Sequence, residues 1–328
     1  MMGLPRFLYV EPASLKEACL FLDEHGQESK LMAGGTDLLP SMKLGLSTPK
    51  WVVNISTLPE LNQVEFDEGT GLRIGALVKL NALERDPLIR QTYPGIARAA
   101  ACVGSPQLRQ MGTVGGNLSI DTRCDYYNQP GFWRDCKPKC IKMGGQACNA
   151  TGGRRRCFAV FSGDLAPALI ALDARVRLVS VRNERIISLS EFYTGNGAEP
   201  LALKPEEVLA GVEVPVLPIE TYSTYSKFAV RKAIDFPLAS VATLLRLEGK
   251  EKLCRAAKVV IGAVGPRPQE VKGLGQLLEG EKLCRELIEE ASNLAFRATR
   301  PVANRGSSPS YRKLMIKALT KKALEQAL

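Results

Sequence analysis

LMAGGTDLL, residues 31–39, is the stretch that decides the fold of this chain. Two adjacent glycines separate a short apolar run from a helix-like segment, so the sequence predicts a strand, a tight turn and a helix. Adjacent glycines let the backbone take positive φ angles and lie close against a ligand. Amide groups in such a turn can bind an anion such as a pyrophosphate. A tight turn without a ligand would show the same pattern, so this loop alone predicts only an α/β unit.

A second glycine loop, GTVGGN at residues 112–117, carries a hydroxyl and an amide that can hydrogen-bond to ribityl or phosphate oxygens. No G-x-G-x-x-G follows a predicted strand, and no G-x-x-x-x-G-K-[ST] occurs, which argues against a Rossmann unit and a P-loop. The two loops together are compatible with a dinucleotide held between two subdomains.

The order of predicted elements divides the 328 residues into three units. Residues 1–56 predict a small α/β unit whose first helix starts after Ser14. Residues 57–217 predict a second α/β unit, interrupted by an insertion at about 121–160. Residues 218–328 begin with three period-two strands and end in helices, which predicts an α+β domain with a three-stranded sheet.

The insertion holds five of the nine cysteines, Cys124, Cys136, Cys140, Cys148 and Cys157. We expect a cytoplasmic location, because the first residues do not resemble a signal peptide, and disulfides are disfavoured there. No two of these cysteines are separated by just two residues, as in the paired knuckles of zinc modules, which argues against a zinc ribbon or finger. Thiolates from a long irregular loop also suit a 4Fe-4S cluster. From the residues alone, an iron–sulfur cluster, a zinc site and scattered structural cysteines all stay open.

Charge and composition exclude several other classes of function. The net charge of +10 is spread along the chain, which favours an acidic protein partner or cofactor over nucleic acid. A single histidine, His25, argues against Ser-His-Asp triads and multi-His zinc sites. No window approaches the roughly 18 consecutive apolar residues of a membrane span, so none is predicted.

Five motifs stand in one order along the chain: LMAGGTDL, GTVGGN, SGDLAPAL, EEVLAGVEVP and the K-x-x-x-R of KFAVR. In these motifs the chain resembles, over nearly its whole length, the FAD-binding flavoprotein subunits of the xanthine dehydrogenase and carbon monoxide dehydrogenase group of molybdenum hydroxylases. The resemblance implies an α+β fold. A two-subdomain FAD-binding α/β unit of the PCMH/VAO type would be followed by an α+β domain like the C-terminal domain of CO dehydrogenase flavoproteins.

The resemblance also implies which residues contact FAD. Gly34, Gly35 and Thr36 would surround the pyrophosphate, and Leu209 would lie near the isoalloxazine. Asp164 would accept a hydrogen bond from a ribose or adenine group, although its place before an apolar helix also fits an N-cap. The full set implied is Leu31, Met32, Ala33, Gly34, Gly35, Thr36, Asp37, Leu38, Val103, Thr113, Val114, Gly115, Gly116, Asn117, Asp164, Leu209 and Lys227.

Within that family the inserted segment most resembles the flavin subunit of 4-hydroxybenzoyl-CoA reductase, in which it carries an additional 4Fe-4S cluster. The resemblance places the cluster ligands at Cys124, Cys140, Cys148 and Cys157 and leaves Cys136 without a ligand position. No catalytic residue is implied on this chain.

The implied role is electron transfer. The cluster would exchange electrons with a ferredoxin-like carrier, and FAD would connect it to a 2Fe-2S small subunit and a molybdopterin-binding large subunit in a dimer of heterotrimers. The complex would dehydroxylate 4-hydroxybenzoyl-CoA to benzoyl-CoA in anaerobic degradation of aromatic compounds. The alternatives are a flavin subunit of an aldehyde or N-heterocycle dehydrogenase, and a zinc-binding interaction protein without redox activity.

Overall fold

Three β-sheets with flanking helices form the framework of residues 3–249 and 251–328, the residues that the computed structural model describes. The mixture of sheets and helices confirms the predicted α+β class. Each sheet takes all its strands from one of the three predicted units. The boundaries after residues 56 and 217 stay predictions.

The first sheet is small and parallel, as expected for a strand–helix–strand unit. Its helix begins after Ser14, whose hydroxyl oxygen accepts a hydrogen bond from the Glu17 N–H at 3.2 Å. The helix buries Ala18 and Leu22 against Val53 of the sheet, because these residues share one helical face. The elements are β1 Leu8–Val10, α1 Leu15–His25, β2 Ser29–Met32, α2 Leu38–Lys43 and β3 Trp51–Asn54. The strand order is β1-β3-β2.

The second sheet is antiparallel and has five strands, and seven of the eight helices of this unit precede its third strand. Its elements are β4 Val64–Asp67, β5 Gly71–Gly75, α3 Leu80–Arg85, α4 Pro87–Thr92, α5 Pro94–Ala101, α6 Pro106–Met111, α7 Val114–Leu118, α8 Gly131–Asp135, α9 Leu165–Ala171, β6 Arg175–Val179, β7 Glu184–Ser188, α10 Leu189–Phe192 and β8 Val208–Val214. The strand order is β4-β5-β8-β6-β7. Helices α5 and α9 pack with this sheet in one large core around Leu72, Leu169 and Val212.

A pair of backbone hydrogen bonds joins the two ends of the inserted segment. The Arg123 N–H donates to Val160 O at 2.7 Å, and the Val160 N–H donates to Arg123 O at 2.8 Å. Residues 124–159 between them contain α8 and two short 3-10 turns, Ile141–Met143 and Asn149–Thr151. This segment has a small buried cluster of its own, in which Cys124, Cys157, Tyr127 and Ala159 pack together.

The third sheet corrects one prediction, because it has four strands rather than three. The elements are β9 Thr221–Phe228, β10 Ala239–Glu248, β11 Leu253–Gly262, β12 Gln269–Glu270, α11 Leu274–Leu278, α12 Arg285–Ala298 and α13 Pro309–Glu325. The order is β12-β11-β10-β9. The added strand pairs through only two residues, too few to show a period-two pattern in the sequence.

Helices α11 and α13 pack against this sheet, and α12 packs against both helices, so that apolar residues of the sheet and the three helices are buried in one cluster. The guanidinium of Arg312, fully buried on α13, donates to Leu238 O at 2.9 Å and to Ala263 O at 2.6 Å. These hydrogen bonds fix the helix over the sheet, since a buried charge is tolerated only when its donors have partners. Among residues 3–249 and 251–328, no helix has the length and apolarity needed to cross a membrane.

Candidate functional site

The two glycine loops, far apart in sequence, lie against each other in the structure. Gly34 packs so closely on the end of α6 that a Cβ at this position would lie 1.9 Å from Met111 O. Gly35 has a φ of +67°, a conformation that favours glycine. The first loop therefore needs both of its glycines, one for close approach and one for its backbone conformation.

The second loop connects the first to the five-stranded sheet. Thr113 is the N-cap of α7, and its hydroxyl oxygen accepts a hydrogen bond from the Gly116 N–H at 3.1 Å. The Gly115 N–H donates to Ala76 O at 2.8 Å, and the Ala76 N–H donates to Ala210 O at 3.0 Å. This chain of hydrogen bonds positions the loop beside Leu209 on β8.

Asp164 does not cap α9, contrary to the alternative that its position in the sequence allowed. The Asn117 side chain does so instead, because its Oδ1 accepts a hydrogen bond from the Leu165 N–H at 3.0 Å. The Asp164 carboxylate is buried and accepts a hydrogen bond from the Tyr225 hydroxyl at 2.7 Å. The Lys227 ammonium lies 3.2 Å from the same carboxylate.

Lys227 joins the second unit to the C-terminal unit. Its ammonium group donates to Cys102 O at 2.8 Å and to Asp235 O at 2.9 Å, in addition to its ion pair with Asp164. Cys102 precedes Val103, whose carbonyl oxygen accepts a hydrogen bond from Arg109 at 3.0 Å. One largely buried cation thus holds three segments in place.

Burial raises the pKa of the Asp164 carboxyl to about 6, although the Lys227 ammonium and the Tyr225 hydroxyl both act to lower it. The folded-state pKa lies above the ordinary value of 3.8, so the Asp164 contribution to stability is greatest below pH 4 and declines as the pH rises through 6. Above pH 6 the carboxylate is ionised and depends on Lys227 for its counter-charge.

All the residues predicted to contact FAD lie on these connected segments. Leu31 and Met32 end β2, residues 33–37 form the first loop, and Leu38 starts α2. Val103 follows α5, and Thr113 to Asn117 form the start of α7. Asp164 lies directly before α9, Leu209 on β8 and Lys227 on β9. The predicted FAD contacts therefore lie on segments that contact one another, where glycine backbone lies near buried polar groups.

Lys227 provides a direct test of this site. Lys227→Met should destabilise the protein by about 3–5 kcal/mol at pH 8, since it leaves the buried Asp164 carboxylate without its counter-charge. The loss should be smaller at pH 5, where the carboxyl is mostly protonated. Thermal unfolding of the flavin-loaded protein measures both values. Arg231→Met is the matched control in the same motif. The Arg231 side chain is 67% exposed, so its replacement should change the free energy of unfolding little at either pH. An equal loss at both pH values would contradict the assigned role of Asp164.

A second group of side chains lies in the insertion. Cys124, Cys140, Cys148 and Cys157 are each less than 9% exposed and line one cavity together with Tyr126, Tyr127, Ile141, Lys142, Asn149, Ala150 and Ala159. Cys136 is exposed and lies outside this lining, where its thiol donates to Phe132 O at 3.2 Å. The structure therefore separates the five cysteines of the insertion into four that share a cavity and one at the surface.

The shared cavity affects the thiols electrostatically. Burial, together with a smaller contribution from the neighbouring cysteines, raises the pKa of Cys124 to about 11. Burial also raises the pKa of Cys157, while the Lys142 ammonium opposes that rise. Among the described residues, no group of three or more His, Cys, Asp or Glu is arranged to hold a single metal ion. The four cysteines line one cavity together.

The base of the insertion contacts both the first glycine loop and the C-terminal unit. Arg123 forms an ion pair with Asp37 of the glycine loop. Its guanidinium lies 3.8 Å from the centre of the Phe236 ring. The Asp125 N–H donates to Asn304 O at 2.9 Å. Arg123 therefore lies between the predicted flavin site and the thiol cavity.

Sequence reasoning missed three residues of this region. Tyr225 stands two residues before Lys227 in a strand with period-two spacing, so the pattern could have placed both on one face. Arg123 and Lys142 gave no comparable signal, because their partners, Asp37 and Gly197, are distant in sequence.

Known protein families match nearly the whole chain. Residues 5–217 match the FAD binding domain in molybdopterin dehydrogenase, and residues 223–327 match the CO dehydrogenase flavoprotein C-terminal domain. The glyceraldehyde dehydrogenase medium chain of Sulfolobus acidocaldarius is 30% identical over 325 residues, which cover 98% of both chains.

Two further comparisons agree with these matches. The aldehyde oxidoreductase FAD-binding subunit PaoB of Escherichia coli is 32% identical over 267 residues, 77% of this chain and 80% of that protein. A chain in the crystal structure of cyanide-inactivated Cu,Mo-CO dehydrogenase superposes with a TM-score of 0.81 at 26% identity, and 99% of each chain is covered. The chain therefore belongs to the FAD-binding medium subunits of the xanthine dehydrogenase and CO dehydrogenase family of molybdenum hydroxylases.

Proposed function

We propose that this subunit carries a 4Fe-4S cluster in addition to FAD and transfers electrons for a molybdenum hydroxylase complex. The observation that carries the proposal is the cavity shared by the buried thiols Cys124, Cys140, Cys148 and Cys157. Four cysteine thiolates are the ligand set of a 4Fe-4S cluster, which would supply one-electron transfer next to the one- and two-electron chemistry of FAD.

The spacing of the cysteines favours a cluster over zinc. Zinc modules usually contain paired cysteines with two residues between them, whereas no two cysteines of the insertion are separated by just two residues. The residues between the cysteines form short turns and contribute few apolar side chains to a core. Such a segment gains order from the group that its thiols bind, as small metal-binding modules do.

The chain's own residues bind and separate the two cofactors in this proposal. The glycine loops at 34–36 and 113–117 would hold the FAD pyrophosphate, and Asp164 and Lys227 would hold polar groups of FAD. Tyr127 and Ile141 would exclude water from the cluster. The ion pair between Arg123 and Asp37 holds the insertion against the first of those loops.

The partners proposed are a molybdopterin-binding large subunit and a 2Fe-2S small subunit, in a dimer of heterotrimers. The substrate proposed is 4-hydroxybenzoyl-CoA, reduced to benzoyl-CoA at the large subunit with electrons from a ferredoxin-like carrier. The support is the likeness of the insertion to that of 4-hydroxybenzoyl-CoA reductase. An aldehyde or N-heterocycle dehydrogenase is the second candidate, favoured by the names of the two aldehyde-oxidising relatives.

Analysis of the complex purified without oxygen tests this proposal. We expect one FAD, and four iron and four sulfide in this subunit beyond those of the 2Fe-2S subunit. A complex that contains flavin but lacks this iron, or contains zinc instead, would refute the cluster. Turnover with 4-hydroxybenzoyl-CoA and reduced ferredoxin, compared with turnover of aldehydes and N-heterocycles, then decides between the two candidate substrates.

Association with ferredoxin should depend strongly on salt. Residues 121–160 contain eight basic and only three acidic residues, and Lys137, Lys139, Arg154 and Arg155 are exposed. A basic surface attracts an acidic carrier over long range, so the association rate should fall about tenfold or more between low and high ionic strength. Stopped-flow measurement of electron transfer at several salt concentrations checks this. A rate that does not change with salt would count against an acidic carrier.

A further inference from the structure

We infer that Lys142 raises the reduction potential of the cluster, because it holds a buried positive charge in the wall of the thiol cavity. The inference rests on the proposed function, since it concerns the cluster proposed there. It assigns an electrostatic role to Lys142, which is neither a predicted FAD contact nor a proposed cluster ligand.

The Lys142 side chain is only 6% exposed. Its ammonium donates to Asp121 Oδ1 at 2.5 Å, to Thr122 Oγ1 at 2.5 Å and to Gly197 O at 3.0 Å. It also lies 5.1 Å from the centre of the Tyr127 ring. These contacts fix the charge in one place, because burial of an ammonium group is tolerated only when its donors have partners.

Lys142 differs in position from the other basic residues of the insertion. Among the described residues that line the thiol cavity, it is the only one with a charged side chain. Lys137 and Lys139, by contrast, are exposed and lie outside the lining. A charge in a poorly solvated wall acts on its neighbours more strongly than one that water and salt screen.

The reaction that the Lys142 charge would affect is the one-electron reduction of the proposed cluster. When an external reductant delivers one electron to the cluster, the cluster gains one negative charge, and no covalent bond is formed or broken. A fixed cation nearby stabilises the more negative, reduced state, so it raises the potential. The net charge, hydrogen bonding and solvent exposure around a cluster are known determinants of its potential.

Asp121 opposes this effect and provides a second test. Its carboxylate is 48% exposed and pairs with the Lys142 ammonium, so it cancels part of the positive charge. Asp121→Asn removes the negative charge and keeps an oxygen acceptor for the Lys142 ammonium. The two variants should therefore shift the potential in opposite directions.

Redox titration of the purified complex, followed by electron paramagnetic resonance of the cluster, measures these shifts. At a fixed potential, Lys142→Met should lower the ratio of reduced to oxidised cluster about tenfold, equivalent to about 59 mV for one electron. Lys142→Arg should stay close to the wild type, and Asp121→Asn should raise the ratio. Lys137→Met is the matched control and should leave the reduction potential unchanged, because Lys137 is exposed and lies outside the cavity lining.

The outcomes separate this inference from the proposed function. A wild-type subunit without the additional iron would refute the cluster itself. A cluster that is present with the same potential in wild type and Lys142→Met would overturn only the role of Lys142. If Lys142→Met does not assemble a cluster, Asp121→Asn decides: an upward shift supports the inference, and an unchanged or lower potential overturns it.

Discussion

Replacing Cys148 by serine should remove nearly all the iron and sulfide of the proposed cluster from the subunit, while FAD stays bound. The Cys148 thiol is buried in the cavity wall with three other cysteines, and a cluster held by four thiolates loses an essential ligand in this variant. Iron, sulfide and flavin analysis of the anaerobically purified complex measures the outcome. The insertion should also become sensitive to proteases, because the proposed cluster would organise residues 124–159.

Cys136→Ser is the matched control, since it makes the same chemical change in the same insertion. Cys136 is exposed, lies outside the cavity lining, and its thiol donates a hydrogen bond to Phe132 O in the short helix before it. Its replacement should leave the iron content nearly intact. Equal iron loss in both variants would show that the ligand set Cys124, Cys140, Cys148 and Cys157 is wrong.

Gly34→Ala should destabilise the protein by about 3 kcal/mol and remove most of its FAD. The added Cβ would lie 1.9 Å from Met111 O and 2.6 Å from the carbon of the same carbonyl group. The Cβ would overlap with backbone atoms rather than with the end of a flexible side chain, so the two glycine loops must move apart. The expected loss in the free energy of unfolding is therefore at the upper end of the range usual for overpacking. The ratio of flavin to protein and the unfolding temperature measure the two effects.

Gly306→Ala is the control for Gly34→Ala, because a Cβ at Gly306 has no neighbour within 4 Å. Its stability should stay within about 0.5 kcal/mol of the wild type, and its flavin content should be unchanged. If Gly34→Ala retained both its stability and its FAD, the close contact of the two loops would have no importance for flavin binding.

The predicted flavin site and the thiol cavity share one structural connection. Arg123 stands next to Cys124 at the base of the insertion, and its guanidinium pairs with Asp37 of the first glycine loop. The same guanidinium lies on Phe236 of the C-terminal unit. The insertion is therefore held against the other units by side chains at its base, independently of the cluster proposed between its thiols.

Local patterns predicted most elements of the fold. The N-cap at Ser14, the strand before the first glycine loop and the three long strands of the C-terminal unit were expected and are observed. Each of these has a repeated apolar period or a capping residue within a few positions. The fourth strand, Gln269–Glu270, has neither, because two residues cannot show a period.

Side-chain roles that depend on distant partners were harder to predict. Asp164 stands where an N-cap is expected, yet the hydrogen bond from the Leu165 N–H, the first N–H of that helix, is accepted by Asn117, 48 residues before Leu165. Asp164 instead pairs with Lys227 and Tyr225 of the C-terminal unit. No local pattern distinguishes these two outcomes.

The sequence by itself determined the α+β class, the family, both glycine loops and the presence of a cysteine-rich insertion. Each of these features follows from short motifs or from the local composition of the sequence. Only the tertiary structure decided that the two glycine loops touch, that four of the five cysteines share a cavity while Cys136 stays at the surface, and that Lys142 is buried beside them. Burial and pairing of this kind arise when segments far apart in the chain pack together and exclude water, so no short stretch of sequence contains them.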